Sequence, residues 1–358
     1  MTRSWGPLLG GAFIGLAAGV SMAAQAPPPR ASTEAPVPGL TYGLSEVAPG
    51  VYCAVAHGVP YYVSNSVVLV GDDAVVLVDS GAGGREARML RDAIRRVTRL
   101  PVRYVVDTHF HFDHAFGNGA FPEALAIAHE ATRAGLALGL RQPTVARNLA
   151  ALPERVAGLR SRAEREGDAS KRAALLGEAA ALDAYRQELA DHRADPPPLT
   201  FSDRLTLWLG SREVRVLHLG RGHTAGDTVV YLPRERVVCT GDLFNGYIGY
   251  MGDAFVDEWA DTLGRLAELD FDTVVPGHGE PFKGKDAIAP VQACLRDLWS
   301  QARALRDAGV SPEDAAARID LTAHAARFPQ LARPGFDRLA VARIYAVLEA
   351  RGKRTTPE

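Results

Sequence analysis

Between positions 109 and 114 the chain reads His109-Phe110-His111-Phe112-Asp113-His114, three histidines and an aspartate within six residues. Imidazole and carboxylate are the donors that borderline cations such as zinc prefer. Neither a random surface nor an ordinary core accounts for such a cluster. His109 and His111 stand two apart, so one extended or tightly turned segment aims both rings at one point. Asp113 and His114 lie just beyond and serve a second point nearby. The arrangement suggests two metal ions sharing a solvent molecule, a device that makes hydroxide at neutral pH.

Three later residues fit the same pattern. His223 sits in Gly222-His223-Thr224-Ala225-Gly226-Asp227, a Gly-flanked turn between the apolar runs Val214–Leu219 and Thr228–Leu232. Asp242 follows a strand-like run that ends in Gly241, and His278 follows the short apolar run before Gly277. Each candidate ligand therefore lies where a buried strand gives way to a loop, which is where a rigid scaffold can hold metal geometry.

These residues resemble the metallo-β-lactamase superfamily. HFHFDH matches its HxHxDH signature, Val78-Asp79-Ser80-Gly81 its preceding aspartate motif, and GHTAGD, TGD and PGHG the later motifs in order. The resemblance covers about residues 45–285. It implies an α/β fold, the four-layer αβ/βα sandwich. It also implies that His109, His111 and His223 bind a first zinc, that Asp113, His114 and His278 bind a second, and that Asp242 bridges them. Iron or manganese are the alternative metals. Asp79 is expected behind the ligands, orienting a histidine. The complete ligand set is most similar to glyoxalase II and to periplasmic metallo-hydrolases of the superfamily. In true β-lactamases a lysine often follows the Asp242 position by three residues; here Asn245 stands there.

Of the other five histidines, His129 reads as a packed ring and His192 and His324 as solvent-facing; His218, in a strand beside the site, reads as either structural or functional, and His57 lies in a Gly/Pro loop that is structural or borders the pocket. Thr108 and Thr224 read as supports for backbone turns. Asn245, Tyr247 and Tyr250, just past Asp242, are candidate substrate contacts, since an amide or phenol there donates to an oxyanion. Tyr61 and Tyr62 are weaker candidates.

Composition narrows the partners. The formal net charge of −2 over 358 residues, with basic and acidic residues interspersed, leaves no footprint for nucleic acid or an anionic membrane. Arg3, the apolar stretch Leu8–Val20 and the small residues Ser21-Met22-Ala23 read as a signal peptide over 1–23. A Pro-rich leader then spans 24–44. A periplasmic or secreted protein is expected, without membrane insertion once the signal is removed. Cys53, Cys239 and Cys294 read as small buried hydrophobes.

The main domain is expected over 45–285. Val51–Val55, Ser66–Val70 and Ala74–Val78 are strand-like, Leu90, Ile94 and Val97 recur at helical spacing, and Val102–Val106 delivers the histidine run. Residues 131–195 break the alternation and predict two or three helices, broken near Gly167-Asp168 and stopped by Pro196-Pro197-Pro198. That insert reads either as a packed addition or as a cap over the metal cleft. Strand character resumes over Leu199–Leu209, and a helical extension follows over 286–358. The expected activity is metal-dependent hydrolysis of an acyl-type bond in a small molecule. The alternatives are a β-lactamase proper and an iron-dependent sulfur dioxygenase.

Overall fold

The computed structural model describes Val37 and residues 40–58, 61–193 and 195–355. The expected signal segment 1–23 and most of the leader lie outside the described residues. Among the described residues no helix is long and apolar enough to cross a membrane.

A seven-stranded sheet opens with an antiparallel meander, β1 (Thr41–Ala48), β2 (Val51–His57), β3 (Ser66–Val70) and β4 (Val75–Val78). It continues in parallel through β5 (Val102–Asp107), β6 (Leu125–His129) and β7 (Leu199–Phe201). Helix α1 (Gly84–Val97) makes the β4–β5 crossover and buries Leu90 and Ile94. The second sheet has six strands in the order β13-β12-β11-β10-β9-β8. These are β8 (Arg204–Leu209), β9 (Arg212–Leu217), β10 (Val229–Leu232), β11 (Val237–Gly241), β12 (Thr273–Pro276) and β13 (Phe282–Lys283). Only the β11–β12 pair is parallel.

Strand alternation sorts side chains into layers. Val67 and Leu69 of β3 face the second sheet, joining Val214, Val216, Val230 and Leu232 in one buried cluster. Val68 points the other way, against Leu90 and Ile94 of α1. On the far side, Val229, Val238 and Val274 pack under α6 (Val256–Glu268), α7 (Ile288–Asp307), α8 (Pro312–Arg318) and α9 (Arg338–Thr355). Helix, sheet, sheet, helix: this is the four-layer αβ/βα sandwich, with the helical C-terminal region forming much of one outer layer.

Two boundaries differ from expectation. β1 begins at Thr41, inside the segment read as leader, because Tyr42 and Leu44 pack with the α1 side of the first sheet. The run Leu199–Leu209 is not one strand. It breaks at Ser202-Asp203, and its halves belong to different sheets, β7 beside β6 and β8 beside β9. Apolar alternation on both sides of the break conceals the crossing.

The insert consists of α3 (Glu130–Leu136), α4 (Pro143–Arg165) and α5 (Ala169–Asp191). Asp168 caps α5 by accepting from Lys171 N at 2.9 Å, a preferred N-cap exchange. Between α2 (Phe112–Ala115) and these helices, Phe112, Phe116, Val145, Leu152, Leu182 and Leu189 share a buried cluster. The insert is thus packed directly on the histidine segment. All three cysteines are buried and free, Cys53 and Cys239 within the inter-sheet core.

Candidate metal centre

Asp79, the first residue past β4, takes a left-handed backbone (φ 58) that non-glycine residues adopt rarely. Its carboxylate explains the exception. Oδ1 accepts Thr108 N at 2.8 Å, and Oδ2 accepts both Thr108 Oγ1 at 2.8 Å and His114 Nδ1 at 2.7 Å. Since the Thr108 hydroxyl donates to Asp79, it accepts from His109 Nδ1 at 3.1 Å. The proton on that nitrogen leaves His109 Nε2 as a lone pair facing inward. Thr108 therefore does more than support a turn.

His111 is fixed from the opposite side. Its Nε2 donates to Asp253 Oδ2 at 2.9 Å, leaving the Nδ1 lone pair inward. His223 Nε2 and His109 Nε2 each lie 3.0 Å from that Nδ1. Two inward lone pairs at such a distance repel unless a cation lies between them.

Asp242 and His278 complete the centre. The four donors of His109, His111, His223 and Asp242 form one group, and those of Asp113, His114 and His278 a second. Asp242 faces both: Oδ2 is 3.5 Å from His223 Nε2, while Oδ1 is 3.5 Å from His114 Nε2 and 3.5 Å from His278 Nε2. His278 Nε2 is also 3.2 Å from Asp113 Oδ2. Tetrahedral zinc with bonds of about 2.0–2.1 Å places its donors about 3.3 Å apart. The donor set and its spacing fit divalent cations.

Glycines make this approach feasible. A Cβ on Gly277 would lie 2.3 Å from Asp242 Oδ1, and one on Gly241 2.4 Å from Thr108 Oγ1. The PGHG and TGD motifs therefore need glycine on steric grounds. Asp227 gathers the His223 turn, accepting Thr224 N at 3.0 Å and Thr224 Oγ1 at 2.6 Å. Asn65 donates to Pro276 O at 3.0 Å and Gly279 O at 2.6 Å, pinning the His278 loop.

The charges suit a cation. Burial pushes the pKa of His223 down to about 3, and burial and the neighbouring imidazoles hold His109 well below the ordinary histidine value. Burial works to raise Asp242, but His278, His114 and His223 outweigh it and bring its pKa to about 2. Burial works to lower His114, yet Asp79, Asp242 and Asp113 outweigh it and raise its pKa to about 10. A cation taken up by this set would displace that proton.

The structure brings all seven expected ligands together, with Asp79 behind His114. The expected substrate contacts divide. Asn245 donates to Asp242 Oδ1 at 3.2 Å and accepts His278 N at 3.1 Å, so both ends of its amide position ligands. Tyr247 is 43% exposed and lines a cavity with Asp242 and His223. The Tyr250 ring stands edge-on to His111, centroids 5.6 Å apart. Tyr61 stacks on Tyr185 of α5, and Tyr62 is exposed. His129 stacks on His218 at 4.0 Å. Two histidines expected in solvent are held instead: His192 stacks on Phe116 at 3.8 Å, and His324 bonds Asp297 at 3.0 Å. Their partners, Phe116 and Asp297, come from distant segments. Asp253, Asn65 and Thr144 were not among the expected residues, and no spacing in the sequence marks them.

The family model described as Metallo-beta-lactamase superfamily matches residues 59–278, and the chain belongs to that superfamily. Two curated relatives are hydrolases by name. A linear primary-alkylsulfatase of a Pseudomonas species is 25% identical over 270 residues, covering 72% of this chain and 50% of that protein. The metallo-beta-lactamase type 2 of Bacillus cereus is 24% identical over 223 residues, covering 61% of this chain and 67% of that protein. The chain thus spans about half the length of the alkylsulfatase. A solved metallo-beta-lactamase from Pontibacter korlensis shares the fold, with a TM-score of 0.51 at 20% identity over 72% of this chain and 99% of that one.

Proposed function

We propose that the chain is a zinc-dependent hydrolase with two metals per site, acting in the periplasm or outside the cell on an acyl-type bond of a small molecule. Lactam, lactone, ester and thioester carbonyls all suit such a site. The observation that carries this reading is Asp242, whose two oxygens address separate donor groups. All donors are imidazole or carboxylate, which supports zinc over softer-ligand metals, with iron or manganese as the other candidates.

Bound there, the metal pair would supply Lewis-acid polarisation and acidify water toward a pKa of about 7. The protein's own residues divide the remaining work. Although burial works to raise it, His114 and His278 hold the Asp113 carboxyl below the ordinary range, so it stays ionised and can orient a water by accepting its hydrogen bond. Burial and the charge of Asp242 push the Tyr247 phenol up to about 12, so it stays protonated and can donate to an oxyanion beside the centre. Nothing in the charge pattern supports a nucleic-acid substrate.

The alkylsulfatase relative favours a second reading, cleavage of a sulfate ester. The test is a panel of β-lactam, lactone, ester, thioester, phosphoester and alkyl sulfate, assayed with zinc-loaded protein. Turnover of an acyl substrate that Asp113→Ala lowers at least about 100-fold is expected. Turnover confined to the alkyl sulfate moves the assignment to the second reading. No turnover across the panel rejects both.

A further inference from the structure

Where α4 begins, the insert enters the metal site. Thr144 Oγ1 donates to Asp253 Oδ2 at 3.1 Å, the same oxygen that fixes His111. Three residues on, and so on the same helix face, Arg147 extends Nη2 to the Tyr250 hydroxyl at 3.3 Å. Its guanidinium carbon lies 5.8 Å from the centroid of that ring. The ring stands edge-on to His111 and to His223, with centroids 5.6 and 6.3 Å away. Arg147 is thus one side chain removed from the first donor group, and it is exposed to solvent.

Among the described residues no carboxylate pairs with it directly. The contacts of the guanidinium there are both with Tyr250, whose hydroxyl in turn donates to Asp253 Oδ2 at 3.4 Å. Positions 143, 144, 150 and 151, its neighbours along the helix face, are Pro, Thr, Ala and Ala, so α4 offers no acidic partner at helical spacing. Two other guanidiniums at this loop are already engaged: Arg343 by Ala254 O at 3.0 Å and the Phe255 ring, and Arg221 by Glu258 at 2.8 Å and the same ring. On the other side of the site, Asn245 supplies no cation. A planar fork of donors, steadied on an aromatic ring and lacking an anion, matches a carboxylate or sulfate.

Building on the hydrolase reading above, we propose that Arg147 recognises an anionic group of the substrate, a carboxylate or a sulfate. The insert is then part of the substrate site, and anionic small molecules are the preferred class.

The test compares mono-p-nitrophenyl glutarate, which carries a free carboxylate, with neutral p-nitrophenyl butyrate, on the zinc-loaded full chain. In parallel, calorimetry measures binding of pentanoate and of butanesulfonate, neither of which turns over. Arg147→Gln is expected to lower the ratio of kcat/KM, anionic over neutral ester, by about 10–100-fold, with Arg147→Lys recovering part of it. It is also expected to weaken at least one anion by a similar factor. Loss confined to pentanoate identifies a carboxylate handle, and loss confined to butanesulfonate a sulfate-type handle. An unchanged ester ratio with unchanged anion binding overturns the proposal, as does a wild type that binds neither anion. If the wild type hydrolyses neither ester, the calorimetry alone decides the role of Arg147, and the hydrolase reading is decided by the substrate panel above.

Discussion

Asp79 and Asp253 hold the centre from opposite sides, each by taking the outer nitrogen of a histidine whose inner nitrogen faces the donors. Asp79 bonds His114 Nδ1 at 2.7 Å and Asp253 bonds His111 Nε2 at 2.9 Å. Carboxylates in that position fix the tautomer and orientation of a ligand ring. Replacing Asp253 by Ala is expected to weaken metal binding about 10–100-fold, read from chelator competition. Asp79→Ala removes the acceptor for three donors and is expected to destabilise the fold as well, by about 1–3 kcal/mol in urea titrations. An Asp253→Ala chain that binds metal as the wild type does would show that the contact to His111 is incidental. The seven ligands were legible in the sequence because their donor types are rare together and each motif follows a strand. Asp253 and Thr144 were not, because their contacts join residues 142 and 109 positions apart. The hold of Asn245 on the ligand loops was not legible either, since only the folded loop reveals His278 N beside its amide oxygen.

At the scale of elements, α1 carries a buried acid that the site does not use. Glu86, in its first turn, accepts Ala82 N at 2.7 Å while Oε1 has no partner. Burial raises its carboxyl from the ordinary 4.5 to about 8. The sign follows directly: below about 4.5 folded and unfolded chains both hold the proton, and between about 4.5 and 8 only the folded chain does. Wild-type stability is therefore expected to fall relative to Glu86→Gln as pH rises through that window, by a few kcal/mol in all. Urea titrations at pH 5, 6, 7 and 8 check this, and parallel curves for the two chains would refute it. In the insert, Leu182 of α5 is fully buried among Phe112, Val145 and Leu152. Leu182→Ala is expected to cost about 2–5 kcal/mol. Because that cluster includes the histidine segment, metal affinity is expected to fall with it; intact affinity would show that the insert packs independently. The helices of the insert were readable from apolar spacing and the Pro196-Pro197-Pro198 stop. Its two-point grip on the loop after Asp242 was not, because Thr144 and Arg147 look like ordinary helix surface in sequence.

Taken whole, the molecule places its donors on loops from both sheets. His109, His111, Asp113 and His114 follow β5 of the first, while His223, Asp242 and His278 follow β9, β11 and β12 of the second. The inter-sheet core fixes the distance between these loops, so its packing and the metal geometry are one problem. The α/β layering was predictable from strand and helix periods. The sheet exchange at Ser202-Asp203 was not, because one apolar run serves two sheets. Cations that bind the folded chain alone stabilise it by mass action. Removing them with a chelator is expected to lower the melting temperature by several degrees, and an unchanged melting curve would contradict a bound pair.

The most direct measurement is a metal titration of the folded, chelator-stripped chain, with stoichiometry read by elemental analysis. Two divalent cations per chain are expected, falling to about one in His278→Ala. A folded wild-type chain that takes up none, or only a single ion, would contradict a shared two-metal centre bridged by Asp242.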